Sequence, residues 1–144
     1  MRVVLDTNVV ISATLIRHGN EDRILRAWRR GAFDLVLSPA ILEEMARALS
    51  YERLSRGRWI TAEEALALLV ALGDESVLVP GRLRIRASRD PEDDKFLGAA
   101  IEAQAEYVVT GDRDLLDLGS FRGVQICRPA AFLKILRDRE RRKS

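Results

Sequence analysis

Several of the chain's acids stand where a folded protein can aim them at one point. Asp6 ends the apolar run Val3-Val4-Leu5. Asp112 follows Tyr107-Val108-Val109 through Thr110-Gly111, and Asp114 lies two residues further in the same turn. Glu43 and Glu44 fall in the second turn of a helix opened by Ser38-Pro39, and Asp93 and Asp94 near the start of one opened by Asp90-Pro91. Carboxylates gathered within a few ångströms repel one another, and loss of water raises their proton affinity further. A hard divalent cation, Mg²⁺ or Mn²⁺, removes that penalty. It takes oxygen ligands, keeps several waters, and is held by a few carboxylates plus a substrate phosphate. Such an ion activates water and neutralises charge on a scissile phosphate.

The composition closes off other chemistries. There is one cysteine, Cys127, so neither an intramolecular disulfide nor a cysteine metal cluster can form. The single histidine, His18, removes a His-rich zinc site and leaves little basis for a His-dependent triad. An oxygen-only metal site is what remains. Lys and Arg total 24 against 22 acids, for a net charge of +2, and all but three of the bases are arginine. With five acids drawn to one point, the other 17 face 24 bases and leave the remaining surface at +7. Arginine is the better bidentate partner for phosphate.

The elements that must position these acids follow from patterning. At 144 residues, with 47% apolar and 32% charged residues, the chain reads as a single domain spanning 1–144 with a real core. A basic tail over about 137–144 is expected to be disordered. No apolar run approaches the roughly 20 residues of a membrane span. The N-terminus has no long apolar stretch before its first acid, so a cytoplasmic protein without a secretory signal is expected. Val3–Leu5, Leu35–Leu37, Val77–Val79, Tyr107–Val109 and Val124–Ile126 are short apolar runs of the buried parallel-strand type. Helices are expected between them, one of them interrupted at Gly19-Asn20 and another opened by the capping box Thr61-Ala62-Glu63-Glu64. Arg82-Leu83-Arg84-Ile85-Arg86 alternates as an edge strand or an extended arm. Alternating strands and helices predict an α/β fold with a mostly parallel sheet of about five strands, helices on both faces, and function beyond the strands' carboxyl ends.

Orientation separates the acids only in part. Spacing residues at about 100° puts the apolar centre of the Ser38-Pro39 helix near Met45 and Leu49, with Glu44 on its flank and Glu43 toward solvent. On the helix after Asp90-Pro91, Asp93 projects onto the middle of the apolar stripe and Asp94 onto its edge, so periodicity selects Asp93 or both. Each strand-end Asp also reads as a helix cap.

With these residues in view, the chain resembles the PIN-domain family, metal-dependent nucleases common as toxins of bacterial and archaeal toxin–antitoxin pairs. The matching pieces are Leu5-Asp6-Thr7-Asn8, Ser38-Pro39-Ala40-Ile41-Leu42-Glu43-Glu44-Met45, Asp93-Asp94-Lys95-Phe96-Leu97 and Val108-Val109-Thr110-Gly111-Asp112-Arg113-Asp114-Leu115-Leu116. They come in the family's order, and the wording is most similar to its toxin branch. The resemblance implies a three-layer α/β/α fold and a Mg²⁺-dependent (or Mn²⁺-dependent) endoribonuclease. It implies Asp6, Asp94 and Asp112 as metal ligands, with Glu44 and Asp114 as further catalytic acids. Asp94 is selected over Asp93 by its distance from Asp112. Asn8 and Thr110 match positions that orient the acids, and Arg113 stands beside them as a substrate contact. The expected partners are RNA, a cognate antitoxin and a second copy of the chain, with no membrane.

Two other classes fit less of the pattern. A phosphatase using Asp6 as nucleophile usually needs a second Asp two residues on, where this chain has Asn8. A non-catalytic RNA- or protein-binding module would use the acids only as caps. Arg17, Arg23, Arg113 and the arginines of 82–89 are candidate phosphate contacts, although any single arginine is first a solvated surface residue. Trp28 belongs to an apolar helix stripe and reads as core, and Trp59 as an exposed RNA or partner contact. Cys127 reads as an inert buried thiol and His18 as a loop residue. Leu66, Leu68, Leu69, Val70 and Leu72 exceed one face of their helix, which suits a dimer or partner interface.

Overall fold

The apolar runs form the centre of the molecule because both of their faces are covered. The computed structural model describes residues 1–56 and 60–143. Its elements are β1 (Arg2–Leu5), α1 (Thr7–Leu15), α2 (Asn20–Arg29), β2 (Asp34–Leu37), α3 (Pro39–Arg56), α4 (Ala62–Glu75) and β3 (Val77–Leu78). A 3₁₀ turn (Pro91–Asp93) leads into α5 (Asp94–Glu102), followed by β4 (Tyr107–Val109), α6 (Arg113–Leu116), β5 (Ser120–Phe121), β6 (Val124–Cys127) and α7 (Pro129–Lys143). Trp59 lies outside the described residues. No described helix is long and apolar enough to cross a membrane.

The sheet order is β3-β2-β1-β4-β6-β5. β1 pairs in parallel with β2 on one side and with β4 on the other, where Leu5 faces Val109. Val3, Val4, Leu5, Leu35, Val36 and Leu37 have no exposed surface, as β-branched and aliphatic residues in a doubly covered parallel sheet should. The chain leaves β1 toward β2 and β3, then returns past β1 to β4. Right-handed crossovers running in opposite directions set α5 on the other face from α1 and α2. The strand order reverses between β1 and β4, and the crevice at that reversal lies beyond Leu5 and Val109.

The structure refines several expectations. Among the described residues the sheet has six strands, against the about five expected. The sixth, β5, pairs antiparallel with β6 across a tight turn at Arg122 and Gly123, both with positive φ (48° and 86°). Two consecutive left-handed residues make the turn type that matches strand twist. The segment 82–86 is an extended arm and not a strand. The basic tail is helical, since α7 continues to Lys143, and its far turns are tied down by Arg139 to Glu106 (2.8 Å) and Glu140 to Arg30 (3.6 Å). The interruption at Gly19-Asn20 separates α1 from α2, with His18 in the loop at φ 64°. The capping box at Thr61 and Glu64 forms. Trp28 is buried, and burial lifts the Cys127 thiol to about 11, which makes it a poor nucleophile.

Candidate active site

The two strand-end acids cap helices and face the crevice at once. Asp6 accepts from the backbone N–H of Asn8 at 3.1 Å and opens α1, while Asp112 accepts from the N–H of Asp114 at 2.9 Å and opens α6. Because β1 and β4 are adjacent, the two caps sit side by side. Thr110, fully buried, joins them: its hydroxyl donates to Asp6 Oδ2 at 2.7 Å and accepts from the Asp112 N–H at 2.9 Å.

The remaining walls come from α3 and from the start of α5. Ser38 caps α3, its Oγ accepting from the Ile41 N–H at 3.3 Å. Glu44, one turn on, faces into the crevice, and Glu43 stays outside, paired with Arg47. The Thr7 hydroxyl and Lys95 Nζ (2.8 Å) both donate to Glu44. Asp6, Thr7, Asn8, Glu44, Ala48, Glu92, Asp93, Lys95, Phe96 and Asp112 line a cleft of about 240 Å³.

Of the two adjacent acids where the 3₁₀ turn meets α5, Asp93 and not Asp94 lines this cleft. Asp94 is buried in the opposite sense, accepting from the backbone N–H groups of Ala87 (3.2 Å) and Ser88 (2.8 Å). Those two bonds fix its carboxylate against the 80s segment, so the expectation that Asp94 faces Asp6 and Asp112 is corrected. Asp93 is 7% exposed, and its Oδ2 is buried without a hydrogen-bond partner. Asp93 also approaches a second group of oxygens, with atoms of Asp90, Asp93 and Asp114 all within 4.8 Å of one another. Asp114 stands beside the cleft, paired with Arg89 at 3.0 Å. Arg113, Arg17 and Arg23 are exposed and away from the lining.

Electrostatics mark the cleft as incomplete without positive charge. Burial raises the proton affinity of Asp6, and Asp112 and Glu44 push it the same way, against the favourable bonds from Thr110 and Asn8. Burial also pushes Asp93 up to about 7, aided by the closeness of the Asp112 carboxylate and by the charges of Asp90 and Asp6. Lys95 offsets one charge only, at the Glu44 end. An unpartnered buried carboxylate oxygen among other carboxylates is costly unless a cation is supplied. The donor set is all oxygen, so the residues present fit a hard divalent ion.

Comparison with known proteins identifies the family and the fold. A PIN domain family model matches residues 2–114. The chain belongs to the PIN domain family. An uncharacterised protein of Methanocaldococcus jannaschii, MJ1680, is 32% identical over 118 residues, covering 82% of this chain and 75% of that one. The fold is similar to a chain of VapBC2 from Rickettsia felis, solved bound to a DNA fragment from their promoter. That match has a TM-score of 0.57 and 14% identity over 89% of this chain and 98% of the other. In this PIN domain the residues that sequence reasoning passed over are Thr7, Asp90 and Lys95. Lys95 lay within a quoted motif, but its contact with Glu44 joins α5 to α3 and has no local signature.

Proposed function

We propose that this PIN domain is a Mg²⁺- or Mn²⁺-dependent endoribonuclease and the toxin of a toxin–antitoxin pair. The observation that carries the reading is the buried, unpartnered Asp93 oxygen in a cleft shared with Asp6 and Asp112. Asp6, Asp93 and Asp112 would hold the ion. When bound, the ion supplies Lewis acidity to a phosphodiester and acidifies a water. Thr110 keeps the carboxylate of Asp6 and the turn of Asp112 in register. Glu44, fixed by Thr7 and Lys95, stands ready to accept a proton at Oε1 or Oε2 or to hold a water. Asn8 is exposed at the rim, within reach of substrate. The antitoxin and a second copy belong to the same reading, and Leu66 and Val70 on α4 are 62% and 52% exposed. Such an enzyme acts in the cytoplasm, on RNA.

The test is cleavage of an end-labelled RNA in Mg²⁺ and in Mn²⁺, with and without EDTA. Asp112→Asn and Asp93→Asn are expected to cost on the order of 10²-fold or more, as loss of a charge-stabilising group does, and Asp94→Asn less than either. Undiminished cleavage in excess EDTA contradicts the proposal, and equal losses for the two neighbours contradict the choice of Asp93.

A further inference from the structure

The arm between β3 and the 3₁₀ turn is held in an unusual way. Beyond Val79, whose N–H donates to the Leu37 carbonyl of β2, it bonds no strand among the described residues, and two carboxylates of α5 accept from four of its backbone donors. Glu102 accepts from Gly81 N–H (3.1 Å) and Leu83 N–H (2.9 Å), and Asp94 accepts from Ala87 and Ser88 N–H. Asp94 and Glu102 are two turns apart, about 12 Å along the helix axis. These two anchors pin the arm along α5. It also passes so close to the helix that a Cβ on Gly98 would lie 3.2 Å from the Leu83 carbonyl oxygen.

An extended chain sends alternate side chains to opposite sides. Ile85 is partly buried against the core, Leu83 is 39% exposed, and Arg82, Arg84 and Arg86 are exposed. Among the described residues these three have no acidic partner, unlike Arg89 next to them, which is paired with Asp114 and Asp117. They repeat every two residues, about 6.6 Å apart, a spacing comparable with that of successive phosphates in a stretched single strand. Arg89, at the far end of the arm, is paired with Asp114, whose carboxylate lies within 4.8 Å of that of the cleft residue Asp93, and Lys95 lines both the cleft and the hollow that Arg84 lines.

We infer that the arm is a track for the phosphate backbone of single-stranded RNA, one arginine to one phosphate, leading the strand to the acidic cleft. The track rests on the ribonuclease reading for the identity of its ligand. Its geometry follows from the two carboxylate anchors. Backbone contacts of this kind set affinity and orientation without reading sequence.

The experiment is fluorescence anisotropy of a labelled single-stranded RNA in EDTA over a salt series, using the full chain. Replacing Arg82, Arg84 and Arg86 together by Gln is expected to weaken binding roughly tenfold or more and to lower the salt slope by about 2, the value for three lost phosphate contacts on a single strand. Replacing all three by Lys is expected to retain the slope. Glu102→Ala slackens the arm with its arginines intact. Simple charge bookkeeping predicts tighter RNA binding for it, and the track predicts weaker. An unchanged slope in the Gln variant, or tighter binding by Glu102→Ala, overturns the track. So does a Gln variant that loses binding to polyglutamate and not to RNA, because it assigns the arm to an acidic protein. EDTA separates this test from catalysis. A lowered slope in a protein that cleaves no RNA keeps the track and sinks the ribonuclease, and an unchanged slope in a protein that cleaves does the reverse.

Discussion

Replacing Asp93 by Asn is expected to stabilise the metal-free protein, although it alters a buried group. The Asp93 carboxyl is pushed from 3.8 to about 7. A carboxyl whose proton affinity is higher in the folded state favours folding while protonated. That contribution is fully present below pH 3.8 and is lost as pH rises through about 7. Above pH 7 the folded state carries the whole cost. At about 1.4 kcal/mol per tenfold change in proton affinity, the ceiling is about 4 kcal/mol. The cleft opens to water, which screens its charges, so about half of that, roughly 2 kcal/mol, is expected. Asn keeps the shape and offers an N–H to the Asp112 carboxylate. For a chain of this size the gain corresponds to about 4–8 °C in melting temperature. The assay is thermal unfolding of both proteins in EDTA at pH 8 and pH 4.5, taken as variant minus wild type so that shared titrations cancel. The difference should be large at pH 8 and small at pH 4.5. Added Mg²⁺ or Mn²⁺ should raise the wild type at pH 8 and move the variant much less. A variant less stable than wild type at pH 8, or a difference independent of pH, refutes the account of Asp93 as a strained carboxylate awaiting a cation.

Three further outcomes follow from contacts described above. Thr110→Val removes the hydroxyl that serves both Asp6 and Asp112, and is expected to cost about 1–3 kcal/mol in denaturant unfolding and to depress cleavage. Asp94→Ala frees two backbone donors and slackens the arm; about 2 kcal/mol is expected in the same assay, with the binding site for the ion intact by metal titration. Lys95→Ala removes the positive charge beside Glu44, so the cleft is expected to bind Mn²⁺ more tightly, by a few-fold, while RNA cleavage falls.

What the sequence made legible is what local patterning encodes. An apolar triplet followed at once by Asp6 marks β1, and one followed through Thr110-Gly111 by Asp112 marks β4, so both carboxyl ends were expected to carry an acid. The helix wheel placed Glu44 inward because α3 is a regular helix. On the next acidic helix it selected Asp93 or both neighbours, whereas matching by distance from Asp112 selected Asp94. What decides between them is not local: two amides at Ala87 and Ser88 capture the Asp94 carboxylate from outside its helix. Thr7 and Lys95 were missed for the same reason, since both act on Glu44 from other elements. β5 was missed because a two-residue strand has no period to detect and its turn places Arg122, not only a glycine, at positive φ. The tail was misjudged because its composition is that of a solvated segment, while its order comes from ion pairs to Arg30 and Glu106.

The position of β1 has a consequence for biosynthesis. β1 is made before the other strands yet lies in the middle of the sheet, and one edge of it stays open until β4 has been translated. The Thr110–Asp6 hydrogen bond closes a loop of 104 residues. A nascent or prematurely terminated chain lacking β4 cannot assemble the acidic cleft. Such long closures are also slow to form, so the cleft is completed only after β4 has been made and has docked beside β1.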